Sequence, residues 1–180
     1  MILAHSLIGV PITNYLIKGK SEFQNRHIFT NLMYFVGIVA AVFPDFDLSL
    51  SFFISELDHR KLVSHSIIPY LVIFLVGILF SKIIKKYESE IKILNLIFFI
   101  GVLSHLFLDF LVGGISLFAP FTRYSFGFPI YFNYTSDFYS KYFSSFYFFL
   151  ELPLLAYSIF IISKLRNFIS VFTFYYFVKF

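Results

Sequence analysis

The sequence predicts an all-α protein, a polytopic membrane bundle of about five transmembrane helices. Three observations support this prediction: the apolar composition, the length of the apolar runs and the lack of a linker. Apolar residues make up 59% of the 180 residues, charged residues 13%, and the mean hydropathy is +0.83. An average soluble domain is only about 45–50% apolar. Apolar runs recur at about the length of a bilayer crossing. No linker rich in Gly, Ser or Pro divides the chain, so we expect a single integral-membrane domain over residues 1–180.

Each predicted helix follows from one apolar run. A hydrocarbon core of about 30 Å needs about 20 helical residues, and the third and fourth runs match that length most closely. The first run is predicted to be a retained helix and not a secretory signal, because Lys18 and Lys20 follow it instead of preceding it. The aromatic stretch 168–180 is too short to cross and is placed at the interface. The five predicted spans are 2–17, 30–44, 62–81, 93–112 and 143–163.

The positions of Lys and Arg predict the orientation of the bundle. With five spans, ten of the 14 basic residues fall in loops on one side, and the positive-inside rule places that side in the cytoplasm. The N-terminus and the loops 45–61 and 113–142 are then extracytoplasmic, on the outer face of a cell (inner) membrane. The four basic residues on that face are Arg60, Lys61, Arg123 and Lys141.

Histidine and aspartate recur in four motifs, although both are costly in an apolar protein. All four motifs fall on the predicted outer side of the bundle, which favours one shared site. Neutral imidazole and carboxylate are ligands of divalent metals, and a chain without cysteine holds a metal through nitrogen and oxygen alone. The motifs are Ala4-His5-Ser6, Pro44-Asp45-Phe46-Asp47, Asp58-His59-Arg60 with Ser64-His65-Ser66, and Ser104-His105-Leu106-Phe107-Leu108-Asp109.

Helical spacing places His105 and Asp109 on one helix face, where they either bind a metal or tie the helix to a neighbour by a hydrogen bond. Asp45 and Asp47 either coordinate a cation or mark the water interface. His59 and His65 are six residues apart, so they need a bend or a helix start between them to reach one point. Ser64 or Ser66 is expected to cap the third helix or to hold a histidine in its tautomer.

The remaining polar residues each have two interpretations. His5 is a packing histidine or a ligand. Arg60 either binds a substrate anion or packs along apolar surface and places its guanidinium at the membrane–water interface. Glu151 is an extra ligand or base, or the partner of another buried polar group. Arg123 is a weaker anion-binding candidate, and His27 lies far from the other motifs on the cytoplasmic side. The aromatic run 124–147 is typical of an interfacial belt.

At these motifs the chain resembles the YdjM-type membrane-bound metal-dependent hydrolases, also described as LexA-binding, inner membrane-associated hydrolases. The shared pattern is the early His, Pro-Asp-x-Asp, His-Arg-x-x-x-Ser-His-Ser, Ser-His-x-x-x-Asp and a following Pro-Phe segment, here Leu117-Phe118-Ala119-Pro120-Phe121. It covers residues 1 to about 130, the site-bearing part. The chain departs from it at Leu48, where members often carry His, and at Val112-Gly113-Gly114, where they often carry Thr-Pro.

We therefore expect a membrane-embedded, metal-dependent hydrolase acting on a lipid or phosphoester-type substrate at the extracytoplasmic face, with Zn²⁺ as the favoured ion. The alternative is a non-catalytic membrane protein that uses the cluster for structural metal binding, ion passage or partner recruitment. No nucleic acid is expected, because the net charge of +4 is spread along the chain. The predicted catalytic residues are Asp45, Asp47 and Arg60. The predicted metal ligands are His5, Asp45, Asp47, His59, His65, His105 and Asp109.

Overall fold

The structure is a computed structural model that describes residues 5, 7–24, 26–47, 59–112, 114–122, 124–127 and 146–165. Within these ranges the protein is all-α, as predicted, with one isolated antiparallel bridge between Ile115 and Phe126 and no strand. Short 3-10 turns join several of the helices. The α-helices are α1 (Gly9–Ile17), α2 (Ser21–Gln24), α3 (His27–Val42), α4 (Ile67–Ile83), α5 (Glu88–Val112) and α6 (Phe146–Lys164).

Two stretches of the described chain are long and apolar enough to cross a membrane, His27–Asp47 and Lys85–Leu111. A third, Ile67–Ile83, is apolar but has 17 residues. Of the other predicted spans, 2–17 contains α1, with His5 and Leu7 before it also helical, and 143–163 corresponds to α6. The predicted total of about five spans therefore stays a prediction, and the C-terminal stretch 168–180 lies outside the described residues.

Two helices begin about five residues away from the start of the predicted apolar runs. α4 begins at Ile67 and not near residue 62, because Ser66, one of the two expected caps, is its N-cap and accepts a hydrogen bond from the Ile68 amide at 3.3 Å. α5 contains the predicted span 93–112 but begins earlier, at Glu88, and its extra first turn carries the ion pair between Lys92 and Glu88. A polar first turn therefore precedes the apolar run.

Small residues allow α1, α3 and α5 to pack closely. A Cβ atom added to Gly9 would lie 2.0 Å from the carbonyl oxygen of Gly37, and one added to Gly37 would lie 2.2 Å from Thr13 Oγ1. A Cβ at Gly101 would meet the Ala40 side chain at 2.7 Å. Such contacts are typical of membrane helices, where small residues let backbones approach.

The apolar core has two parts along the bundle. The first lies beside the start of α5 and contains Ile93 and Ile97 packed with residues of α1 and α3. The second lies beside the end of α5, where Val102 and Leu106 pack against Ile115. Because Leu106 adjoins His105 in the sequence, this second part lies directly beside the polar motifs. Apolar side chains of α4 are exposed on its outer face, as expected for contact with lipid: Leu71, Val72, Leu75, Val76 and Leu79.

Candidate metal centre

Four of the sequence-predicted ligands meet at one point. Asp45 lies in the 3-10 turn Phe43–Asp47 after α3, and His65 lies in the turn Val63–His65 before α4. His105 and Asp109 lie one turn apart on α5. Each of the four offers one ligand atom, and these atoms all lie within 4.8 Å of one another. We call Asp45, His65, His105 and Asp109 the four-residue cluster.

The distances within the cluster match the spacing of metal ligands. The Nε2 atoms of His65 and His105 each lie 3.4 Å from Asp45 Oδ1 and 3.4 Å from Asp109 Oδ2. These four His–Asp distances match the separation of about 3.3–3.4 Å between ligands of a tetrahedral zinc ion with bonds of about 2.0–2.1 Å, and the other two pairs of ligand atoms lie within 4.8 Å. His105 Nε2 and Asp109 Oδ2 are buried and have no hydrogen-bond partner among the described residues. Buried polar atoms normally have a partner, and a shared cation satisfies both.

The other ring nitrogen of each histidine is held by an acceptor. His105 Nδ1 donates to the carbonyl oxygen of Ala41 at 2.8 Å, and His65 Nδ1 lies 3.3 Å from Asp47 Oδ2. Both contacts leave Nε2 as the lone-pair nitrogen that faces the centre of the cluster. The Ser64 hydroxyl donates to the same oxygen of Asp47. A carboxylate behind a ligating histidine is a common support of metal sites.

The two oxygens of Asp109 face different partners. Oδ2 faces the two imidazoles, while Oδ1 accepts a hydrogen bond from Arg60 Nη2 at 3.2 Å and lies 3.5 Å from His5 Nε2. The His5 ring is buried and its centroid lies 4.4 Å from that of His105. Arg60 and His5 therefore hold Asp109 in the orientation that points Oδ2 into the cluster.

Electrostatics also favour a divalent cation. Three carboxylates, those of Asp45, Asp47 and Asp109, surround the two imidazoles, and Arg60 contributes one positive charge. With neutral imidazoles the set carries a formal charge of about −2, which is costly to bury without a counter-charge. A divalent ion neutralises it.

Among the described residues, the cluster is partly exposed at Asp45 and at the neighbouring Arg60. The side chains of His65 and His105 are 0% exposed and that of Asp109 is 4% exposed, whereas those of Asp45 and Arg60 are 26% and 24% exposed. A small molecule from outside therefore meets Asp45 and Arg60 first.

A short segment after α5 fixes the turns that carry Arg60 and His65. The carbonyl oxygen of Leu117 accepts from the Ile67 amide and from the Ser66 hydroxyl, both at 3.0 Å, and the Ser116 amide donates to the Arg60 carbonyl at 3.1 Å. Of the two alternatives expected between His59 and His65, the structure shows a bend, at Leu62 between the turns His59–Lys61 and Val63–His65, whereas α4 starts after both histidines.

The structure adds Tyr70, whose role was not predicted. Its hydroxyl donates to the Ser64 carbonyl at 2.6 Å and so supports the serine that contacts Asp47. The available signal in the sequence was a tyrosine hydroxyl one turn after Ser66, at the start of a mostly apolar run.

The other predicted residues lie in different places. Asp47 and His5 touch residues of the cluster but are not among its four members. Glu151 is fully buried in α6 and is not a member either, while His27 is the exposed first residue of α3. The predicted roles of His59 and Arg123 depend on side chains outside the described set.

A family model described as YdjM inner membrane protein matches residues 1–179. Neither the curated proteins nor the solved structures contain a match to the chain.

Proposed function

This chain belongs to the YdjM inner membrane protein family, and we propose that it is a metal-dependent hydrolase embedded in the membrane, with its site on the extracytoplasmic side. The observation that carries the proposal is the four-residue cluster, in which two imidazoles and two carboxylates converge, with His–Asp distances of 3.4 Å, beside a partly exposed arginine. The location of the site near one end of α5 supports a substrate at the membrane surface.

The proposed metal ligands are His65 Nε2, His105 Nε2, Asp45 Oδ1 and Asp109 Oδ2. Zn²⁺ is favoured because two of the four donors are imidazoles. When bound, such an ion supplies Lewis acidity toward an ester or phosphoryl oxygen and lowers the pKa of water toward about 7.

The remaining chemistry belongs to the chain itself. Asp45 is the more exposed of the two carboxylates of the cluster, at 26%, and its second oxygen is the proposed acceptor for the proton of the attacking water. Asp47 holds His65, and the buried apolar residues beside His105 exclude bulk water from the inner side. Asp109 is held by Arg60 and His5.

Arg60 is the proposed contact for the anionic part of the substrate. Its guanidinium uses one Nη2 bond to Asp109 and is 24% exposed, so donor groups remain directed away from the cluster. A planar guanidinium suits phosphate, which accepts paired hydrogen bonds. The membrane location favours a lipid or lipid-linked phosphoester.

The test combines metal analysis of purified protein with assays on phospholipids and model phosphoesters. We expect His105→Ala and Asp45→Ala to lose stoichiometric metal and turnover, because each removes a ligand. Arg60→Gln should still bind metal at saturation, with the lower affinity expected from the lost hydrogen bond to Asp109, but lose turnover on anionic substrates. His27→Ala is the matched control, since that histidine is exposed and outside the cluster, and it should behave like the wild type.

A structural metal site is the second candidate, and the burial of three of the four cluster residues favours it. In a structural site the protein fills every coordination position of the metal, so the metal links parts of the fold and no position is open to a substrate. Stoichiometric metal in the wild type with no turnover on any substrate of either class would reject the hydrolase and support this candidate.

A further inference from the structure

A basic cavity lies at the end of the bundle opposite the four-residue cluster. It has a volume of about 500 Å³ and lies between the turn after α1 and the start of α5. From Lys92 to His105 the rise of the helix amounts to about 20 Å, so the cavity is separate from the candidate metal centre. Four lysines line it, and we call it the basic cavity: Lys20, Lys85, Lys86 and Lys92.

Three of these lysines have no carboxylate partner within the described part of the chain. Lys92 pairs with Glu88, and the cavity's Glu90 is paired with Arg26 at 2.6 Å. Lys20, Lys85 and Lys86 are exposed and form no ion pair among the described residues. Two of the three carboxylates at the cavity are therefore already neutralised, whereas three ammonium groups are available for an anion.

The inner wall of the cavity is apolar. Phe23 and Ile93 are 3% and 4% exposed and belong to the apolar core, and Leu96 continues the wall along α5. The apolar stretch Lys85–Leu111 begins at the same point. Lysines at a rim and apolar residues below it match an anionic lipid, whose headgroup lies above its acyl chains. A free phosphate would gain nothing from the apolar wall.

We propose that the basic cavity binds the headgroup of an anionic phospholipid, such as phosphatidylglycerol, at the membrane face opposite the metal centre. The phosphate contacts Lys20, Lys85 and Lys86, and the upper part of the acyl chains packs against Leu96. This binding site does not depend on the proposed hydrolase activity.

The experiment measures binding of labelled phosphatidylglycerol to the full chain in nanodiscs of phosphatidylcholine. One variant replaces the three rim lysines with glutamine (K20Q, K85Q and K86Q). The control variant removes the same charge from the same end of the bundle but outside the cavity (K18Q, K82Q and K164Q). A lysine near an anionic lipid surface contributes about fivefold to affinity, so we expect a loss of about 100-fold in the rim variant and a much smaller loss in the control.

Equal losses in the two variants would overturn the proposal, because the binding would then follow the general surface charge. Displacement of the lipid by millimolar inorganic phosphate or glycerol phosphate would also overturn it in favour of a free-phosphate site. Thermal denaturation of both variants checks that they are folded. If the triple variant does not fold, K85Q with K86Q carries the same test, with an expected loss of about 25-fold.

Discussion

At the residue scale, the cluster depends on how each imidazole is oriented. An imidazole binds a metal through one nitrogen, and the hydrogen bond at its other nitrogen decides which one is available. His105 uses a backbone carbonyl for this purpose and His65 uses the Asp47 carboxylate. The backbone contact is fixed by helix packing, whereas the Asp47 contact depends on a second side chain, Ser64.

We expect Ser64→Ala to weaken metal binding about 10- to 100-fold, the usual effect of losing an outer hydrogen bond at a metal site. The substitution removes the donor to Asp47 and so loosens the carboxylate that orients His65. Titration with Zn²⁺ against a competing chelator measures the affinity, and stoichiometry at saturation should be unchanged.

Ser104→Ala is the matched control for that substitution. Ser104 adjoins His105, but its hydroxyl donates to Gly101 within the same helix at 2.6 Å. If Ser64→Ala bound zinc as tightly as Ser104→Ala, the Ser64 hydroxyl would not contribute to metal affinity.

At the scale of elements, the site is assembled by helix packing. His105 and Asp109 occupy one face of α5, and the carbonyl of Ala41 near the end of α3 reaches His105. That contact requires α3 and α5 to lie close together, which Gly101 permits because a larger residue would meet Ala40. α1 approaches α3 in the same way through Gly9 and Gly37. Small residues outside the cluster therefore control its geometry.

We expect Gly9→Ala to lower the free energy of unfolding by about 1–3 kcal/mol, the usual cost of overpacking a tight contact. The three atoms nearest to the new Cβ would all be backbone atoms of α3, which cannot move independently of the helix. Thermal denaturation in detergent measures the effect.

Gly77→Ala is the control for this element-scale prediction. Its Cβ would meet only the side chain of Asn95, at 2.5 Å, and a side chain can shift. If both substitutions lowered the melting temperature equally, the close backbone contact between α1 and α3 would not be the cause of the destabilisation.

At the scale of the whole molecule, the cluster joins segments that are distant in sequence. Asp45 follows α3, His65 precedes α4, and the other two ligands are on α5. A ligand that binds only the folded state stabilises it, by about 2.7 kcal/mol at a concentration 100 times its dissociation constant. A metal at this point should therefore stabilise the bundle as a unit.

We expect a chelator to lower the melting temperature of the metal-loaded wild type, and added Zn²⁺ to restore it. His105→Ala should show neither change, because it lacks a ligand. Differential scanning calorimetry in detergent measures both proteins. A chelator effect of equal size in His105→Ala would show that the stabilising metal binds elsewhere.

The predicted orientation can be tested with single cysteines, because the natural chain contains none. Phe121 is 82% exposed on the side of the metal centre, and Lys86 is exposed beside the basic cavity. In right-side-out vesicles, a membrane-impermeant maleimide should label Phe121→Cys at once and Lys86→Cys only after permeabilisation. The reverse labelling pattern would place the candidate metal centre in the cytoplasm.

The sequence by itself determined the helical, membrane character of the protein, because apolar runs and the hydrogen bonding of helices are local properties. It also identified the residue types of the site and the pairing of His105 with Asp109, since a spacing of four residues suffices for that. It named Ser66 as one of two candidate caps of the third helix, which the structure confirms, but the polar first turn of α5 lies outside the apolar run from which that span was predicted.

Only the tertiary structure decided which carboxylates face the two histidines. Asp45 and Asp47 are two residues apart and chemically identical, yet Asp45 points into the cluster and Asp47 contacts the outer nitrogen of His65. Likewise, Arg60 reaches Asp109 because the segment at Ser116 holds its turn. The orientations of these side chains depend on the packing of elements distant in sequence. A local pattern of residues does not determine the angle at which two helices pack.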